Sequence, residues 1–446
     1  MKTRYIVLIL ILAAAIGGAF FLLTREKATL SESALYGPTP TLVPPKRTLL
    51  PTINVAKAVG WSGNEAPTPA SGLAVNGFAA NLAHPRWLTI LPNGDVLVAE
   101  TNSPPRAAGG FQGWVMGRLF KRAGAAVPSA NRITLLRDAD GDGVAESRSV
   151  LLAGLNSPFG MALIGDHLYV ANTDAVVRYP FKPGETKIAA KPQKIASLPG
   201  GGNHWARNLI ANENGSKLYV TVGSNSNVGE DGMETEEGRA SIWEIDTKTL
   251  DHRIYAYGLR NPIGLAWEPT TRMLWTVVNE RDMIGSDLVP DYLTSVQFGG
   301  FYGWPWYYWG GYVDKRAPEP VEDLREYTVR PDYALGAHTA ALGLTFANGA
   351  KLGPRFGEGA FIGLHGSWNR KPLSGYKVIY VPFAKGSPAG KPVDILAGFL
   401  DKDERARGRP VGVAIDRTGA LLVADDVGNR IWRVSAKHRT RSASGQ

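Results

Sequence analysis

The stretch HPRWLTILPNGDVLVAE, residues 84–100, holds an apolar strand, a Pro-Asn-Gly turn and a second apolar strand. The same phrase returns as SPFGMALIGDHLYVAN at 157–172, and as WARNLIA at 205–211 leading to KLYVTV at 217–222. It appears again as NPIGLAW at 261–267 with MLWTVV at 273–278, and as LGLTF at 342–346 with GAFIGL at 359–364. The last copy is PVGVAID at 410–416 with GALLVAD at 419–425. Further strand candidates follow most copies, among them AVVRY at 175–179, SIWEI at 241–245, KVIYV at 377–381 and RIWRV at 430–434.

A strand pair with added outer strands, repeated six times, cannot bury both faces of one sheet alone. It reads as an all-β, six-bladed propeller with four-stranded blades over residues 72–436. Two packed sheets are the alternative for an all-β chain, but they do not repeat one turn phrase six times. A strand over Gly77 to Ala83 is expected to complete the last blade, since an open ring leaves an unpaired edge. Loops of a propeller gather at the ends of its channel, so the segments opening each repeat are where a site is expected.

Composition agrees. The 52 Gly and 30 Pro among 446 residues exceed the usual share and favour tight turns over long helices. With no Cys, disulfides, thiolate zinc sites, iron–sulfur clusters and cysteine nucleophiles are excluded. The net charge of +9 is scattered, with no run of five basic residues, which argues against nucleic acid.

Residues 1–27 carry an apolar run from Ile6 to Leu23, flanked by Lys2 and Arg4 before and Arg25 and Lys27 after. Its 18 residues lie between a signal peptide's apolar core (about 7–15) and a spanning helix (about 20). The expectation is an uncleaved membrane anchor, with a cleaved signal as the alternative. Either exports the rest, in bacterial terms to the periplasm, anchored at the inner membrane or secreted. Residues 28–71 hold seven prolines, which exclude a helix, and read as a Pro-rich tether. Residues 437–446 read as a basic tail.

His204 follows three glycines in Gly200–Arg207 at the opening of the third repeat, a setting for a general base approached closely by a ligand. Arg260 and Asn261, before Pro262, open the fourth and suit polarising an oxygen. The loop Glu280 to Asp291 carries four carboxylates among Gly and Pro, reading as calcium ligation or as a solvated acidic loop. Asp138, Asp140, Asp142 and Glu146 are a second acidic group, readable as a calcium loop or as a plain turn. Arg407 and Arg409 open the sixth repeat, and His365, Arg370 and Lys371 follow the fifth. These cations either converge on an anionic ligand or sit solvated. The aromatic run Phe298 to Trp309 either walls a ring-shaped ligand or packs over the channel.

Taken in order, these phrases resemble the pyrroloquinoline quinone-dependent soluble glucose, aldose sugar and sorbosone dehydrogenase family, nearest to the sorbosone branch, from about Gly77 to Val434. The resemblance implies a six-bladed propeller with the quinone and a Ca²⁺ ion at the channel mouth. It makes His204 the general base, Arg207 a basic neighbour, and Arg260 with Asn261 the pair at substrate and cofactor. Calcium would be held in the loop Glu280, Asp282, Met283 and Asp287, through carbonyls near Asp282 and Met283. Arg407 and Arg409 match the pair that grips the quinone carboxylates. The family's Gly-Pro at the calcium loop is Asp282-Met283 here. Its cofactor lysine has no clean match, with His365, Arg370 or Lys371 as stand-ins.

The implied activity is oxidation of an aldose or sugar aldehyde, with electrons passed to a membrane acceptor. Two rivals remain at this stage: a propeller lactonase built on carboxylates around a metal, and a non-catalytic ligand-binding propeller.

Overall fold

A computed structural model describes residues 2–23, 26–48, 51–105, 110–320 and 323–437. The expected basic tail lies outside them from residue 438 onward.

Six antiparallel sheets follow the six repeats. The innermost strands are Pro85–Ile90, Met161–Ile164, Leu209–Ala211, Pro262–Trp267, Ala341–Phe346 and Pro410–Ile415. Each pairs with the second strand of its own phrase, then with two outer strands. Innermost strands meet in chain order, and the sixth meets the first. The protein is a six-bladed propeller.

A physical reason for the repeated phrase is visible at its glycines. A Cβ on Gly343 would lie 2.1 Å from the Val411 carbonyl oxygen of the next blade. One on Gly412 would lie 2.8 Å from the Arg86 carbonyl oxygen. Only glycine lets adjacent inner strands approach this closely around a narrow channel.

The sixth blade is closed by Leu73–Ala79, which pairs antiparallel with Arg430–Ala436 in a register running from Ala436↔Leu73 to Ile431↔Ala79. Closure by an amino-terminal strand is as expected, but the strand begins earlier than Gly77. It ends at Ala79 because Asn81 turns the chain in the left-handed region, at φ 58°.

Residues Lys2–Leu23 form a helix with Tyr5, Leu10, Ile11 and Ile16 exposed. Among the described residues, no helix is long and apolar enough to cross a membrane. The side chains of residues 8, 9 and 19–23, within the expected anchor, lie outside the description.

The expected tether departs from its reading. Residues 26–48 and 51–71 lie along the propeller as a strap. The Glu26 carboxylate accepts from Ser286 N and Oγ, Tyr36–Gly37 adds a fifth strand to the fourth blade, and Lys46 N donates to Ile284 O. Lys57–Ala58 pairs in parallel with Arg405–Ala406, Trp61 Nε1 donates to Asp425 Oδ2 at 2.7 Å, and Thr68–Pro69 pairs with Leu396–Ala397. Proline-rich chain makes no internal ladder, so its remaining N–H and C=O groups are free to bond with blade edges. The strap's own Leu35 and Ala56 are buried against the blades.

A chain beginning at Leu73 should therefore be less stable than one beginning at Glu26. Burial of Leu35 and part of Trp61 alone is worth about 3 kcal/mol. Equal thermal midpoints for the two truncated chains would show that the strap contributes nothing.

Candidate active site

Antiparallel pairing places the start of each innermost strand beside the end of its neighbour: Pro85 opposite Glu100, Leu209 opposite Val220, Pro262 opposite Val278, Ala341 opposite Leu364, Pro410 opposite Asp425. The segments opening the repeats and those following their second strands thus share one end of the channel. Two clusters form there.

The first joins the third and fourth blades. Gly201 and Gly202 adopt φ of 73° and 77°, and a Cβ on Gly202 would meet Asn225 Oδ1 at 2.6 Å. This lets the loop fold down so that His204 reaches the end of the next strand. Nδ1 of His204 lies 2.8 Å from the Ser224 carbonyl oxygen and 3.1 Å from Ser224 Oγ. A carbonyl only accepts, so Nδ1 carries the proton and Nε2 keeps its lone pair. Burial, reinforced by the nearby Arg260 charge, pushes the imidazole down to about 3, so it is neutral near pH 7. Asn261 stands beside it. A Cβ on Gly223 would come within 2.4 Å of Asn261 Oδ1 and 2.6 Å of His204 Cβ. That Oδ1 is buried without a partner.

Arg207 is wholly buried and donates to the carbonyls of His204, Ala206 and Pro199. It props the His204 loop and does not face a ligand. Arg260 is also committed. Its nitrogens donate to Asn227 O and Oδ1, Asn279 O, Glu280 O and Asp282 Oδ2. It acts on His204 through charge, and no free N–H remains aimed at a substrate oxygen, contrary to the expected role.

The second cluster joins the first, fifth and sixth blades around Asp426. Its Oδ2 accepts from Arg86 Nη1 at 2.5 Å, and the Nε2 atoms of His365 and His84 lie 2.8 and 3.4 Å away. Burial would raise this carboxyl, but His365, His84 and Arg86 outweigh it and hold it well below the usual range. Burial pushes His84 down to about 4, against the pull of Asp426, and pushes His365 down to about 3, with the Arg409 charge adding. Arg409 donates to the His365 and Gly366 carbonyls. Arg86 lies 5.7 Å from the Trp205 ring, which ties this cluster to the residue after His204. Arg86 Nε and Asp426 Oδ1 are buried without partners.

Several expected residues stand elsewhere. Arg407 reaches toward Glu65 of the strap at 3.5 Å. Arg370 is buried on Ser286 O, Pro372 O and Asp287, and the Lys371 backbone meets Ser286 and Ala28, so both serve the strap contact. The aromatic run is mostly packing: Phe301, Trp304, Tyr307, Tyr308 and Trp309 are buried, and Arg281 threads beneath them onto Pro305 O and Tyr307 O.

Glu280, Asp282, Met283 and Asp287 do not converge. Glu280 Oε2 accepts from Arg281. Asp282 takes Arg260 on one oxygen and Asn369 on the other. Asp287 Oδ2 accepts from the backbone N–H groups of Thr29 and Leu30 in the strap. Met283 is exposed in the left-handed region, at φ 68°. Among the described residues, the only carboxylate group with oxygens gathered for a cation is Asp138, Asp140, Asp142 and Glu146, on the outer hairpin of the first blade.

A family model described as TrAA12-like matches residues 128–291 and 322–437. The chain belongs to this family. A relative from Borreliella burgdorferi, itself uncharacterised, is 29% identical over 298 residues, covering 63% of this chain and 76% of its own. The pyrroloquinoline quinone-dependent pyranose dehydrogenase of Coprinopsis cinerea is 23% identical over 70% of this chain, which spans only 44% of that protein's length. Two solved structures, each 20% identical, share the fold. The calcium structure of a Trichoderma reesei family AA12 enzyme covers 84% of this chain and 100% of its own, with a TM-score of 0.69. The holo pyranose dehydrogenase quinone domain of Coprinopsis cinerea covers 85% and 100%, with a TM-score of 0.66. The resemblance read from the repeats and loops is thereby upheld at the level of family and fold.

Sequence reading missed His84, Arg86 and Asp426. The signal was present: His84 and Arg86 open the first repeat, and Asp426 follows the second strand of the sixth.

Proposed function

We propose that this chain is a pyrroloquinoline quinone-dependent dehydrogenase that oxidises a sugar, with His204 as general base. The observation that carries the proposal is a neutral His204 with a free Nε2, set beside the unpartnered Asn261 Oδ1 at one end of a channel whose far wall is cationic.

The quinone fits the residues present. Arg86 and Arg409, with the N–H groups of His84 and His365, outnumber the single carboxylate Asp426 between them, and Arg86 Nε is left without an acceptor. A polycarboxylate would supply that acceptor. Bound there, the quinone would supply the two-electron acceptor for the sugar's hydride. The protein's own part is separate. Nε2 of His204 takes the hydroxyl proton, Ser224 O holds Nδ1–H and fixes the tautomer, and Arg207 fixes the loop height. Asn261 Oδ1 is placed to accept from a second sugar hydroxyl.

An exported enzyme suits the apolar segment Ile6 to Leu23, and reoxidation by a membrane acceptor is the matching electron route. A sorbosone-like aldehyde remains within the substrate class proposed. A lactonase reading is not favoured, because the carboxylates near the channel are each held by a guanidinium or amide.

A pH profile checks the role of His204. An ordinary histidine, with a value near 6.5, is mostly protonated at pH 5. With His204 depressed, the base stays neutral as pH falls through 6.5 and is lost only on approach to its lower value. The quinone-loaded enzyme should thus keep most of its kcat/KM for a pyranose at pH 5, with circular dichroism at the same pH checking that the chain is folded. An acid limb centred at or above 6.5 would contradict this assignment.

A further inference from the structure

The loop Glu280 to Asp287 is, on the function proposed above, the counterpart of a calcium loop, and its carbonyl oxygens have unexpected partners. Asp282 O accepts from Arg316 Nη1 at 2.7 Å and from Asn227 Nδ2 at 3.2 Å. A carbonyl oxygen has two lone pairs, so none is left for a metal. Glu280 O is taken by Arg260 Nη1 at 2.6 Å.

Arg316 is not a loose side chain that a cation could brush aside. Its Nε and Nη2 clasp both oxygens of the buried Asp314, at 2.9 and 2.7 Å, and its side chain is only 11% exposed. Asp314 is itself fixed, its N–H donating to Trp306 O and its carboxylate lying 3.5 Å from Arg281. Two guanidinium groups, Arg260 and Arg316, therefore press on the loop's carbonyls from outside, and a third, Arg281, lies within the loop on Glu280. Calcium needs about six to eight oxygen ligands. The Glu280 and Asp282 carbonyl oxygens already face positive donors.

We propose that the Arg316 guanidinium stands in the place of the divalent cation, so that the loop Glu280 to Asp287 of this chain holds no calcium. The fixed charge sits on the same carbonyl that would otherwise ligate the ion. Arg316 is thus a positioning residue, acting on the loop through Asp282 and on His204 through the Asp282–Arg260 pair.

Calcium counting tests this without quinone or sugar, so the result does not depend on whether the protein oxidises anything. The full chain is stripped with a chelator, dialysed against CaCl₂ alone, and its bound calcium measured by elemental analysis. Because Asp138 to Glu146 could take up an ion, all variants carry Asp138→Asn and Asp142→Asn. With Arg316 present, the expected count is zero. Arg316→Lys keeps a cation and should also bind none. Arg316→Ala frees the carbonyl and should gain about one equivalent. One equivalent retained with Arg316 in place would overturn the proposal, as would a folded Arg316→Ala chain that binds none. If Arg316→Ala fails to fold, the counts for Arg316 and for Arg316→Lys still decide.

Discussion

Replacing His204 by alanine is expected to reduce sugar turnover by about 10²–10⁴, the usual worth of a positioned general base. The loss should fall on kcat, with KM for the sugar little changed. His204 is partly exposed and bonds only to Ser224, while Arg207 holds the loop through backbone carbonyls that alanine retains. The thermal midpoint should therefore stay close to that of the parent chain. A variant that keeps turnover within a factor of ten would remove His204 from the chemistry. One that loses activity only by unfolding would leave it a structural role.

Asp426→Ala should be the most destabilising single change at the site. It leaves Arg86 buried beside Arg409, His84 and His365 with no counter-charge. Removing one partner of a buried ion pair costs about 3–5 kcal/mol, because the other charge remains in a poor solvent. Arg86→Ala in the same chain should recover part of that loss, since the uncompensated guanidinium goes with it. Denaturant unfolding of both single variants and the double variant gives the coupling. Additive losses would mean that the pair at 2.5 Å contributes no more than its separate groups.

The fold was legible because its signal is repeated. Six copies of one strand–turn–strand phrase outweigh any irregular spacing, and the inner-strand glycines report directly on how closely blades approach. The candidate site was legible in part. His204 and Asn261 were visible because a glycine-rich loop and an X-Pro opening mark them. Arg409 and His365 were visible as loop cations, but their partner Asp426 was not, since an Asp after a strand is unremarkable without its neighbours in space.

The strap was misread for a physical reason. Proline density reports extended conformation and says nothing of what the extended chain lies against, and the contacts of Trp61 and Tyr36 are long-range. The acidic loop was misread for a related one. Spacing shows that carboxylates are close together, but not that Arg260 and Arg370, from elsewhere in the chain, hold Asp282 and Asp287, that Arg281 turns back on Glu280, or that Arg316 takes the Asp282 carbonyl.

On the proposed function, one end of the channel holds a quinone next to a histidine base acting on a sugar. Anaerobic mixing of the quinone-loaded protein with a panel of pyranoses and sugar aldehydes, with the quinone absorbance followed through a single turnover, tests it most directly. Bleaching by at least one sugar at one equivalent per chain is expected, slowed by about 10²–10⁴ in His204→Ala at equal loading. Tight loading with no bleaching by any sugar, or bleaching at the same rate in His204→Ala, would contradict it.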